Sequence, residues 1–123
     1  MIDTEKTCTS ETLARHCAEL MLENKARDII LLDVRGLTDI ADFFVICSCD
    51  SDIHVKAIAE NVREELGKED IGSWKTEGWQ GMNWVILDYV EVVAHVFYHE
   101  KRRFYKLERL WADAKIEHIA DTA

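Results

Sequence analysis

The sequence predicts one domain of the mixed α/β (α+β) class, a four- to five-stranded mixed sheet with helices packed against it. Three observations predict it. Two short apolar runs, Ile29-Ile30-Leu31-Leu32 and Phe43-Phe44-Val45-Ile46-Cys47, have the length and composition of buried strands. Apolar residues recur at helical spacing in three separate stretches, around residues 13–21, 55–66 and 104–114. Between residues 84 and 99, two β-branched runs flank a short polar turn, which reads as a hairpin that hands over to the last helix.

Taken in order, residues 1–9 read as a flexible tail and residues 10–115 as the domain. Thr9 or Ser10 can cap the first helix through its hydroxyl, with Glu11 favourable in its first turn. Leu13, Cys17, Leu20 and Met21 then share one face. Strands follow over residues 27–34 and 42–49, separated by a break at Gly36 and Thr38. Asp50 or Ser51 caps a second helix whose inner face is Val55, Ile58, Ala59, Val62 and Leu66, ending near Gly67. Residues 71–82 hold three of the five glycines and read as a loop with at most one short strand around residues 74–77. The hairpin is expected over residues 83–88 and 91–99. A single third helix should set Phe104, Leu107, Leu110, Trp111 and Ala114 against the sheet and leave Lys101, Arg102, Lys106 and Arg109 in solvent. Residues 116–123 read as a C-terminal tail. Proline is absent, so Gly, Asn, Asp and Ser must shape every turn.

A chain of 123 residues supports one ordinary core and not two. Its 48% hydrophobic and 32% charged residues are those of a folded domain. The net charge of −9 argues against extensive direct binding to nucleic acid, which needs cations to displace counterions from phosphate, and favours a basic protein partner. No apolar run approaches the roughly eighteen residues that would span a bilayer. Asp3, Glu5, Glu11 and Glu19 make the start unlike a transit peptide, so the expectation is a cytoplasmic protein with no membrane partner. Cys8, Cys17, Cys47 and Cys49 are then expected as reduced thiols.

Several clusters invite a chemical reading. Cys47 and Cys49 share a strand face and could begin a metal site, but no second pair completes it, so buried cysteine is the plainer reading. His95, within Val-Val-Ala-His-Val-Phe, is read as a hydrogen-bonded structural histidine, with general base, metal ligand and interface contact as alternatives. Asp39, Asp42, Asp50 and Asp52 could group around Mg²⁺, or could be caps and turn residues. Lys101, Arg102, Arg103, Lys106 and Arg109, interleaved with Glu100 and Glu108, read as a solvated helix face, a contact to RNA being the alternative. Among Trp74, Trp79, Trp84 and Trp111, the last lies on an apolar stripe. Trp79 sits in the glycine loop and Trp84 opens a strand, where either ring could be core or a protein-binding hot spot.

The ordered pieces Leu37-Thr38-Asp39-Ile40-Ala41-Asp42-Phe43-Phe44-Val45-Ile46, Ser51 with His54-Val55-Lys56-Ala57-Ile58-Ala59, Glu77-Gly78, Trp84 through Asp88, His95-Val96-Phe97, Arg103-Phe104-Tyr105, Leu107-Glu108 and Leu110-Trp111 resemble the Iojap family of ribosomal silencing factors over about residues 28–113. The resemblance implies a nucleotidyltransferase-like topology without the catalytic motif. Those enzymes place a Gly-Ser turn before two aspartates on a strand, whereas here Gly36 precedes Leu37, and Asp50-Ser51-Asp52 falls where a helix begins. It further implies a bacterial, non-enzymatic homodimer with no catalytic residue, metal or cofactor. Such a factor binds the large ribosomal subunit through ribosomal protein uL14, blocks subunit association and represses translation under nutrient limitation.

The family's contact surface lies on the hairpin, which carries the role onto Trp84 and Tyr89, with Phe97 third. Asp88 and Glu91 supply charge suited to a basic partner, and Trp79 is the loop aromatic beside them. Three positions depart from the family pattern: Val90 stands where the turn usually has Gly, Cys49 where a small residue is usual, and no proline precedes Glu77-Gly78. Two other readings stand beside this one, a nucleotidyltransferase-like enzyme using Mg²⁺ and a nucleotide, and a self-associating scaffold.

Overall fold

The structure is a computed structural model that describes residues 9–72 and 75–119. In chain order it runs α1 (Ser10–Glu23), β1 (Arg27–Asp33), β2 (Phe43–Cys49), α2 (Asp52–Lys68), β3 (Lys75–Glu77), β4 (Trp84–Asp88), β5 (Val92–Tyr98), α3 (His99–Tyr105), α4 (Leu107–Leu110) and β6 (Lys115–Ile119). The strands make one mixed sheet of order β3-β4-β5-β2-β1-β6. Only β2 and β5 pair in parallel, and the other four pairings are antiparallel. A parallel pair needs a long crossover. Here α2, β3 and β4 supply it.

The helix ends follow local chemistry. Thr9 Oγ1 accepts from the Thr12 amide at 3.1 Å, and Ser51 Oγ accepts from the His54 amide at 3.1 Å, each satisfying a donor that the first helical turn leaves unpaired. α2 runs through Gly67, and the chain reverses at Asp70, φ 62°. Gly78, φ 90°, is required where it stands: a Cβ there would lie 2.0 Å from the Trp84 carbonyl oxygen.

The sheet has two unlike faces. α1 and α2 cover the first, where Cys17, Met21, Val45, Cys47, Val55, Ile58, Leu66, Val85, Leu87, Val92 and Val96 form the main core. The second holds a smaller cluster of Ile30, Leu32, Phe44, Ile46, Val93 and Phe97, against which Leu107, Trp111, Ala114, Trp84 and Ile86 pack in part. Both faces of the central strands are therefore buried, which is why β2 is apolar apart from Ser48 and buried along its whole length.

Four expectations need correction. The sheet has six strands, because Lys115–Ile119 pairs antiparallel with β1 inside the segment read as a C-terminal tail beginning at residue 116. The expected third helix is two short ones, broken at Lys106 in the left-handed conformation, φ 51°. That break turns Phe104 and Leu110 outward, 75% and 73% exposed, where an unbroken helix would have buried them. It also folds Arg102 inward to 8% exposure. The short strand in the glycine loop is β3, while Trp74 and residues 1–8 and 120–123 lie outside the described residues. Among the described residues no helix is long and apolar enough to cross a membrane.

Candidate functional site

Strand alternation decides where the hairpin side chains go. On β4, Val85 and Leu87 point to the helix-clad face and Tyr89 continues that parity into the same core, whereas Trp84 and Ile86 belong to the second face. Pairing sets Trp84 opposite Phe97, Ile86 opposite His95 and Asp88 opposite Val93. The second face of the hairpin is thus an aromatic patch centred on Trp84. Its ring stacks on Phe97 at 4.7 Å between centroids and leans on Tyr105 of α3 at 4.8 Å. Phe44 meets both His95 and Trp111 edge-on, at 5.4 Å each.

His95 orders this patch. Trp84 Nε1 donates to His95 Nδ1 at 3.1 Å, so the ring must be unprotonated at that nitrogen. Burial enforces this by pushing the imidazole pKa down to about 4, which keeps the ring neutral at ordinary pH. Nε2 is buried with no hydrogen-bond partner among the described residues. The histidine thus acts as an acceptor that fixes the indole.

Trp84 is half-buried and leaves part of its ring open, beside half-buried Ile86 and Asp88. At the turn, Asp88 Oδ1 accepts from the Val90 amide at 2.8 Å, and Val90 holds φ 73° with 56% of its surface exposed. Glu91 is exposed beside it. Two of the aromatic residues carried over from the family stand elsewhere. Tyr89 is 7% exposed within the helix-side core, with its hydroxyl unpartnered among the described residues and its pKa raised by burial. Phe97 is fully buried beneath Trp84. Neither ring presents surface to a partner, and the physical reason is parity for the first and a covering indole for the second. Trp79 packs against the helix-side core, donating to Thr76 Oγ1 at 2.8 Å with the Arg63 guanidinium 5.6 Å from its ring, and so lies on the face opposite Trp84. Tyr105 and Ile86, absent from the expected site, complete the patch. The alternation of residues 84–88 was the signal for Ile86.

The remaining clusters resolve simply. Cys17, Cys47 and Cys49 are free and buried on the helix-clad face. Burial raises the Cys17 thiol to about 12, and a hydrogen bond with Cys49 together with burial raises Cys47. Asp50 pairs with Arg27 at 3.4 Å, and Asp52 Oδ1 accepts from the Ile53 amide at 2.8 Å in the first turn of α2, whose cap is Ser51. Among the described residues no group of three or more His, Cys, Asp or Glu is placed to hold a metal.

A mixed sheet clad by helices on one face, with a half-open aromatic patch on the other, defines a small α/β domain whose architecture recurs in solved bacterial proteins. A crystal structure of a Chromobacterium violaceum protein superposes with TM-score 0.83 at 28% identity, covering 94% of this chain and 97% of that one. The family model described as "Ribosomal silencing factor during starvation" matches residues 7–123, and the chain belongs to that family. Among its relatives, the ribosomal silencing factor RsfS of Bacillus subtilis is 39% identical over 94 residues, 76% of this chain and 80% of the relative. A Mus musculus protein named for mitochondrial assembly of the ribosomal large subunit is 30% identical over 95 residues, 75% of this chain and 42% of its own.

Proposed function

We propose that this chain is a non-enzymatic cytoplasmic repressor that binds the large ribosomal subunit through ribosomal protein uL14. Its mechanism is steric: the bound domain fills volume that the small subunit needs, so joining fails and translation is damped when nutrients are scarce. Family membership supports the ribosomal setting, and the name of the mouse relative supports the large subunit. The single observation that carries the docking site is the half-open Trp84 on the second sheet face, flanked by Ile86, Asp88 and Glu91.

The physical case is that of a hot spot. A large ring already ordered by Phe97, Tyr105 and His95 loses little freedom on binding, and the carboxylates of Asp88 and Glu91 beside it attract a basic protein. An interface of standard size, about 1,600 Å² in total, is enough if such an anchor carries it. Phe97 then acts from beneath as support, and Tyr89 and Trp79, on the opposite face, lie outside the contact. The proposal includes a homodimer, which the exposed Phe104 and Leu110 favour, since free apolar surface of this kind is usually covered by a partner.

The test is a sucrose-gradient run of the purified protein with isolated large subunits, followed by addition of small subunits. Co-sedimentation with the large subunit and a reduced yield of joined ribosomes are expected. Normal joining in the presence of saturating protein would overturn the reading. Asp88→Lys with Glu91→Lys, two substitutions at the hairpin surface, should weaken large-subunit binding at least tenfold.

A further inference from the structure

The break at Lys106 builds a cleft that the docking surface does not use. It occupies about 520 Å³ between α3, α4 and the ends of β1, β2 and β6, on a chain whose net charge is −9. Five cationic side chains line it, Arg27, Arg102, Arg103, Lys106 and Arg109, against the carboxylates of Asp28 and Glu108. Three of these cations, Arg103, Lys106 and Arg109, have no carboxylate within ion-pair distance among the described residues. A solvated helix face on an acidic protein has no reason to gather unpaired positive charge into a concavity, because like charges repel.

The floor of the cleft is more specific than its charge. Arg102 is 8% exposed, and its Nη1 donates to Ser48 Oγ at 2.9 Å and to the Asp28 carbonyl, while Nε donates to Glu108 Oε2 at 3.3 Å. The two N–H groups of Nη2 make no hydrogen bond among the described residues, so an anchored guanidinium keeps unused donors. Beside it, Glu108 Oε1 is buried and accepts from nothing among the described residues. Buried polar atoms without partners are rare in native structures and call for a ligand or water.

We propose that this cleft binds a small phosphorylated ligand of the nucleoside diphosphate class, with the phosphates on Arg102 Nη2, Lys106 and Arg109. Guanidinium geometry matches phosphate, and charge-assisted hydrogen bonds are the strong ones. The volume fits a ligand of this size. A free terminal phosphate is favoured over an RNA backbone because the unused donors belong to a residue at the cleft floor, which a phosphodiester held within a polymer cannot enter without carrying its neighbours with it.

The experiment is titration of the full, ¹⁵N-labelled chain with ADP, with inorganic pyrophosphate, and with a single-stranded oligoribonucleotide lacking terminal phosphates, followed by amide shifts. ADP should give saturable shifts at Asp28, Ser48 and Arg102. Pyrophosphate, which carries the same phosphates, should shift the same amides and compete with ADP. Lys106→Glu with Arg109→Glu, both exposed and without a side-chain partner among the described residues, should weaken ADP at least tenfold while the melting temperature stays unchanged. Arg102→Lys should weaken it as well, with melting monitored because this side chain also holds Ser48 and Asp28. No saturable shift with ADP, shifts unaffected by the double charge reversal, or an oligoribonucleotide that binds as well as ADP would each overturn the assignment.

Discussion

The two faces of the sheet are built from the same strands and finished differently. On one, α1 and α2 close over Val85, Leu87, Val92 and Val96 and leave all four fully buried. On the other, two short helices give only partial cover, so that Trp84 and Ile86 stay partly open while Phe97 beneath Trp84 is sealed. The contrast teaches that the hairpin is both core and surface, with side chains one residue apart serving opposite ends. One face holds the fold, and the other offers an aromatic anchor.

The contrast is broken most forcefully by removing one large side chain from each face. Ile58→Ala on the clad face and Phe97→Ala on the open one should each cost about 4 kcal/mol, since both side chains are fully buried. Urea unfolding reads this loss. At a temperature where both variants remain folded, only Phe97→Ala should also weaken large-subunit binding, because it removes the platform under Trp84. Equal loss of binding in the two would erase the distinction between the faces.

A smaller effect sharpens the role of His95. Its pKa in the folded protein is about 4, below the ordinary value near 6.5, so between those values the unfolded chain binds a proton that the folded chain does not. Stability from the neutral ring is therefore full above pH 6.5 and is lost as pH falls toward 4, by about 3 kcal/mol. Because carboxylates titrate nearby, the measurement is the difference in urea midpoint between wild type and His95→Asn across pH 4–7. That difference should shrink as pH drops, and a constant difference would remove His95 from the pH response. The smallest effect lies at the turn. Val90 at φ 73° is strained as a β-branched residue, and Val90→Gly should raise stability by about 1 kcal/mol, seen as a higher melting temperature.

Much of the fold was legible. The two apolar runs, the caps at Thr9 and Ser51 and the hairpin all carry strong local signals, and each lies where those signals place it. β6 was missed because Lys-Ile-Glu-His-Ile is short and largely exposed, so only its pairing with β1 marks it as a strand. The break at Lys106 had no glycine or proline to announce it, and the burial of Arg102 follows from that break. The site was legible in part. Trp84 and Asp88 share a face, but Trp84 and Tyr89 are five residues apart, an odd spacing that puts them on opposite faces of a strand. That arithmetic was available in the sequence, whereas the sealing of Phe97 by the Trp84 ring needed three dimensions.

The most direct measurement follows the indole N–H resonance of Trp84 in the ¹⁵N-labelled protein as purified uL14 is added. A large shift or broadening of that signal, with neighbouring changes at Ile86 and Asp88 and none on the α1 and α2 surface, is the expected result. Perturbations confined to the helix-clad side, with the Trp84 signal unmoved at saturation, would contradict it.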